Sequence, residues 1–106
     1  MTLEELEKRI IEIYYDENNF VITLRLDWSF DEKQYTKVVD LYEQYIDALG
    51  SSPTVNRQVA RFIVDCDAFL LNTLAEMRQG NAESDLIQKV SNAHAKLLDL
   101  LTQLLI

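Results

Sequence analysis

Residues that turn a chain sharply are scarce here: the 106 residues include two glycines and one proline. Many short strands would need many tight turns, so an all-β sandwich or barrel is excluded and a few long helices are expected. Cysteine is nearly missing as well. Cys66 stands alone, so the chain has no internal disulfide and needs no oxidising compartment. The single histidine, His94, cannot build a zinc site of several Cys and His ligands. Nor can it supply a di-iron bundle, which takes a Glu-x-x-His pair from each of two helices. With two glycines there is no phosphate-binding loop, dinucleotide turn or Gly-x-Ser-x-Gly elbow. No apolar run approaches the ~20 residues that span a bilayer. The opening Met1-Thr2-Leu3-Glu4-Glu5 lacks the basic and apolar regions of a secretion signal, and a cytoplasmic location is expected.

Positive charge is also in short supply. The net charge is −8, and it is unevenly spread. Residues 1–50 hold twelve acids against five bases, a net −7, while residues 51–106 hold six against five, a net −1. Nucleic-acid binding rests on a basic face that displaces counterions from phosphates. An acidic half repels phosphate and anionic membrane surfaces alike. It favours a protein partner with a basic surface, the plain alternative being that the charge only keeps the chain soluble. A hydrophobic content of 48% with 26% charged residues is that of a folded chain. The length predicts a single domain over residues 1–106.

What is present is helical periodicity. Thr2 and Glu5 form a capping box ahead of Leu3, Leu6, Ile10 and Ile13, predicting a first helix over about residues 3–15. Residues 20–28 read differently: Phe20, Ile22, Leu24, Leu26 and Trp28 alternate at period two, as in a strand. Such a strand would pair with Ile10–Tyr15 as a hairpin or with its copy in a second subunit, unless packing makes the segment helical. Ser29 and Glu32 predict the cap of a second helix over about 30–49, with Gly50 as its left-handed terminator. Ser52 and Pro53 predict the start of a third, which Gly80 ends. Asn81 is expected to cap a fourth. That helix carries two adjacent seams, Leu86-Val90-Ala93-Leu97-Leu100-Leu104 and Ile87-Ser91-His94-Leu98-Leu101-Leu105. A face that wide touches two neighbours, within one chain or across a homodimer. The fold class is therefore mainly α: a small antiparallel bundle of about four helices with one strand-like segment at residues 20–28. Short connections make the last three helices antiparallel neighbours.

The chemistry-bearing residues point away from catalysis. Cys66 lies between Asp65 and Asp67 on an apolar stripe, where adjacent acids and burial both raise a thiol pKa, so it is expected to be a core residue. His94 invites comparison with histidine phosphotransfer domains, which are also small helical bundles. Those place a lysine three residues after the histidine and a glycine beyond it, whereas here Lys96 is two residues on and no glycine follows. A histidine at the border of a core seam fits better. The pairs Glu12/Asp16 and Asp27/Asp31 stand one helical turn apart, but no loop has a calcium-ligand pattern with its glycine. No catalytic residue, metal ligand or cofactor is expected.

Eight of the ten aromatics fall in the acidic half. Aromatic rings among carboxylates suit a surface complementary to a basic protein, although they also suit a core wedge between the first two helices. The candidate partner-binding residues are Tyr14, Tyr15, Phe20, Asp27, Trp28 and Asp31. The expected function is a small acidic protein–protein interaction module of the inhibitor, immunity or chaperone type. The alternatives are a homodimeric scaffold and a His94-dependent phosphorelay component.

Overall fold

The computed structural model describes residues 1–105, and these form five helices with no strand among them. They are α1 (Leu3–Tyr14), α2 (Phe20–Asp27), α3 (Glu32–Leu49), α4 (Arg57–Gln79) and α5 (Ser84–Leu105). α4 and α5 pack as a long antiparallel hairpin, α1 packs on α3, and α2 lies across α4 with its other side on α3.

The strand-like segment is thus a helix, and the reason lies at its N-terminus. A helix of eight residues gains little from propagation and must have its first N–H groups satisfied from outside. The buried Asn19 side chain accepts hydrogen bonds from Val21 and Ile22 N–H, each at 3.1 Å. Phe20 N–H donates to Gln34 Oε1, a side chain delivered by α3. Asn19 Nδ2 in turn donates to the Tyr14 carbonyl at the end of α1. With three N–H groups capped, the apolar residues sort by helical rather than strand spacing. Phe20, Val21 and Leu24 are buried, while Leu26 on the far side is 74% exposed.

Helix boundaries show smaller departures from expectation. Thr2 Oγ1 accepts from Glu5 N–H as the capping box requires. α3 starts two residues later than expected, because Asp31 rather than Ser29 accepts from Gln34 N–H. α4 starts at Arg57 under an Asn56 cap, which accepts from Gln58 and Val59 N–H, and Pro53 stays in the connection. Gly50 does take a positive φ of 56°, but its ψ of −123° is outside the left-handed helical region. At the end of α4 the left-handed residue is Asn81, φ 60°, not Gly80. Ala82 N–H bonds back to the Met77 carbonyl, the 6→1 closure of a Schellman turn with Asn81 at its left-handed position. Asn81 therefore closes α4 instead of capping α5.

The core runs through all five helices. One seam of α5 is buried, Val90, Ala93, Leu97, Leu100 and Leu104, with Leu86 half-covered; the second seam is half-exposed. α3 and α4 make no close backbone approach, contrary to the expectation from their short connection. Residues 50–56 bridge the gap, and the two helices meet through long side chains: Tyr42 faces Phe62, and its hydroxyl donates to the Val59 carbonyl at 2.6 Å. Tyr45 supplies a second tie. Its hydroxyl donates to Glu7 on α1 and accepts from Asn56 N–H at the α4 cap.

Candidate protein-binding surface

The six residues singled out in the sequence separate into three environments around α2. At its N-terminal end, Tyr14 stacks on Phe62 with ring centres 4.9 Å apart and donates its hydroxyl to Asp65. That carboxylate bond, with burial behind it, pushes the Tyr14 pKa up from the ordinary tyrosine value. Tyr15 has its ring centre 5.0 Å from that of Tyr14, is 64% exposed, and accepts a hydrogen bond from Gln58 Nε2 at its hydroxyl. Phe20 is fully buried, edge-on to Phe30 and Tyr35. It is a core residue and offers no surface to a partner, because an apolar ring of that size gains more from leaving water than from staying exposed.

The C-terminal end of α2 holds the remaining three. Trp28 closes the helix in a left-handed conformation, φ 52° and ψ 32°, with its N–H bonded to the Leu24 carbonyl. For a bulky residue that conformation costs ~1–2 kcal/mol, and packing must offset it. The packing is visible at Gly80, where a Cβ would stand 2.5 Å from Trp28 Cη2. Gly80 is thus required for close approach of the indole, not for backbone freedom, and Trp28 is only partly exposed. Asp27 and Asp31 are exposed on either side of it, Asp31 also serving as the α3 cap. The two surface groups lie at opposite ends of α2, ~12 Å of helix apart.

Between them the structure adds residues that the strand reading could not find. Once residues 20–27 are helical, Ile22 and Leu26 fall one turn apart on the outer face, opposite Phe20 and Leu24. Beside them Arg25 lies over the Phe69 ring, 5.4 Å from its centre, and Phe69 is itself 38% exposed. A small cavity of about 80 Å³ opens between Tyr14, Ile22, Phe62, Cys66 and Phe69. Cys66 at its floor is buried, and burial, with Asp65 and Asp67 behind it, pushes its thiol pKa up, away from the reactive thiolate.

Electrostatics give this surface its sign. The two connections flanking α2, with its last residue, carry Asp16, Glu17, Asp31 and Asp27, all exposed, and no base. Among the described residues, Glu32 is the only acid of residues 1–50 in an ion pair, with Lys89 at 3.5 Å. The larger groove between α1 and α3, about 390 Å³, is lined by Lys8, Arg9 and Lys37 against Glu5 and Glu12. The bases of that groove offset its own acids, whereas the turns around α2 carry acids and no base.

His94 is displaced from the core but not free. Its side chain is 15% exposed, and Nε2 is 2.6 Å from Asp67 Oδ1. Among the described residues no group of three or more His, Cys, Asp and Glu side chains is placed to hold a metal ion, and no helix is long and apolar enough to cross a membrane. The sequence matches no protein-family model, and neither a curated protein nor a solved structure is significantly similar to it.

Proposed function

We propose that this protein is a small protein-binding module of the inhibitor, immunity or chaperone type, and that its partner is a basic protein docked over α2. The observation that carries the reading is Leu26. Among the described residues it is the most exposed of the large hydrophobic side chains, on a short helix bracketed by four carboxylates that are in no ion pair there. An apolar anchor in a mainly acidic surround, Arg25 being the one base on the helix itself, is the arrangement of an interface centre and its rim. Tyr15 extends the apolar centre at one end and the edge of Trp28 at the other. Asp16, Glu17, Asp27 and Asp31 steer a cationic surface to it, accelerating encounter at low salt. His94 is largely covered, its side chain 15% exposed with Nε2 on Asp67, and this supports binding over phosphoryl relay, since a relay needs an imidazole open to an incoming phosphoryl group.

Capture from native cell extract, with mass-spectrometric identification, supplies the partner, and the variants then test the surface. Leu26→Ala and Tyr15→Ala are expected to weaken binding by ~2 kcal/mol or more while the protein stays folded. Asp27→Asn with Asp31→Asn is expected to slow association and flatten its salt dependence, without unfolding α3, because asparagine caps as well as aspartate. A partner with an acidic surface, or an on-rate unchanged by the double variant at low salt, overturns the proposal.

A further inference from the structure

The α4–α5 hairpin turns one side toward α1, α2 and α3 and the other toward solvent. On the solvent side of α4, Val64, Ala68, Leu71 and Ala75 recur at helical spacing and are all exposed. Val64 is 45% and Leu71 49% exposed. The second seam of α5 runs alongside and adds Leu98 at 43% and Leu105 at 61%. Asp67 and His94 stand between the two stripes and satisfy one another. We infer that this face docks against the same face of a second copy of the chain, in an antiparallel two-fold arrangement.

Two observations select that occupant. The first is extent. α4 and α5 have 23 and 22 residues, hence a length of ~33 Å, and two helices side by side are ~20 Å wide. Two such faces bury on the order of 1,300 Å², within the range of stable interfaces. The second is charge. A chain of net charge −8 repels its own copy over most of its surface. This face is the exception, because it carries a single central carboxylate, Asp67, and that one is hydrogen-bonded to His94. Its two ends also differ in sign. Arg57 and Arg61 are exposed at the start of α4, whereas Glu83 and Asp85, which outnumber Arg78 at that end, are exposed at the α4–α5 turn. Among the described residues none of the four is in an ion pair. A self-complementary contact places the same patch on both copies. Run antiparallel, it sets the arginines of one copy against the acids of the other; run parallel, it sets like against like.

Sedimentation equilibrium across the micromolar range tests this. The parent is expected to sediment at twice the monomer mass. Leu71→Lys and Leu98→Lys each add a charge at a position already exposed in the monomer, so helical circular dichroism persists while association weakens about tenfold or more. Leu26→Lys, on α2, leaves self-association unchanged. Arg57→Glu alone weakens the dimer, and adding Glu83→Arg restores it. A parent that stays at the monomer mass overturns the inference, as does a dimer indifferent to Leu71→Lys and Leu98→Lys. Failure of Glu83→Arg to rescue Arg57→Glu overturns the antiparallel arrangement.

Discussion

Residues 1–50 place Phe20, Tyr42 and Tyr45 in the core, whereas residues 51–106 fill their share almost entirely with aliphatic side chains, Phe62 being the one buried ring. The two materials hold the fold in different ways. Buried tyrosines bring hydroxyls that must find partners. Here they find them on other helices: Tyr42 at Val59, Tyr45 at Glu7 and Asn56. Those bonds fix where α1 and α3 sit against α4. The hairpin has few such directional ties, His94 to Asp67 being one, and depends on the fit of Leu97, Leu100 and Leu104 in their seam. The charge follows the same division, with most of the acid excess on the tyrosine-rich half and a nearly balanced hairpin. The two proposed contacts divide in the same way, a basic partner on the acidic half and a second copy on the hairpin.

Truncating the aliphatic half is expected to do the most damage. Leu97 is 1% exposed at the middle of the buried seam, and Leu97→Ala is expected to cost ~2–5 kcal/mol through the cavity it leaves. A denaturation midpoint equal to that of the parent would show that the hairpin does not rest on its seam. Next in size is Gly80→Ala, where the new methyl group would run into Trp28 Cη2. Overpacking of this kind costs ~1–3 kcal/mol, and the loss should be relieved by Trp28→Ala in the same chain, because the clash goes with the indole. Independent, additive losses in a double-mutant cycle would break the link between α2 and the end of α4.

The smallest effect at neutral pH is expected from the directional half, and it sharpens with pH. Tyr42→Phe removes one hydrogen bond, a loss of ~1 kcal/mol. Burial raises the Tyr42 pKa above its ordinary value of 10.0, and burial likewise raises those of Tyr35 and Tyr45. The folded protein therefore holds the phenolic proton more tightly than the unfolded chain. That contribution is complete below pH 10 and is lost as pH rises beyond it. Urea denaturation at rising alkaline pH should show stability falling more steeply in the parent than in Tyr42→Phe. Parallel curves would mean that the phenol ionises as easily in the fold as outside it.

How much of this was legible in advance depends on the range of the interaction that decides each element. α1, α3 and α5 announce themselves because amphipathic spacing is a local property, written in residues three and four apart. The buried seam of α5 and the core position of Cys66 follow from the same pattern. The surface candidates were only partly legible. Tyr15, Asp27 and Asp31 are exposed as a binding role needs, but Phe20 is sealed in the core and Leu26 was hidden by the period-two reading. Period two over so short a run is ambiguous: Phe20 and Leu24 are alternate residues of a strand and equally one turn of a helix.

The sequence by itself determined a helical protein with an acidic first half, because composition, turn scarcity and short-range spacing decide those things without reference to the rest of the chain. Tertiary structure alone decided that residues 20–27 are helical. The cap on Phe20 comes from Gln34, fourteen residues away, and no local pattern announces an acceptor so distant. It also decided what Gly80 is for. A glycine next to a helix end reads as a backbone terminator, yet here Asn81 takes the left-handed turn and Gly80 makes room for an indole from α2. Such close contacts depend on where two distant segments come to rest, and that position is set by the packing of the whole core.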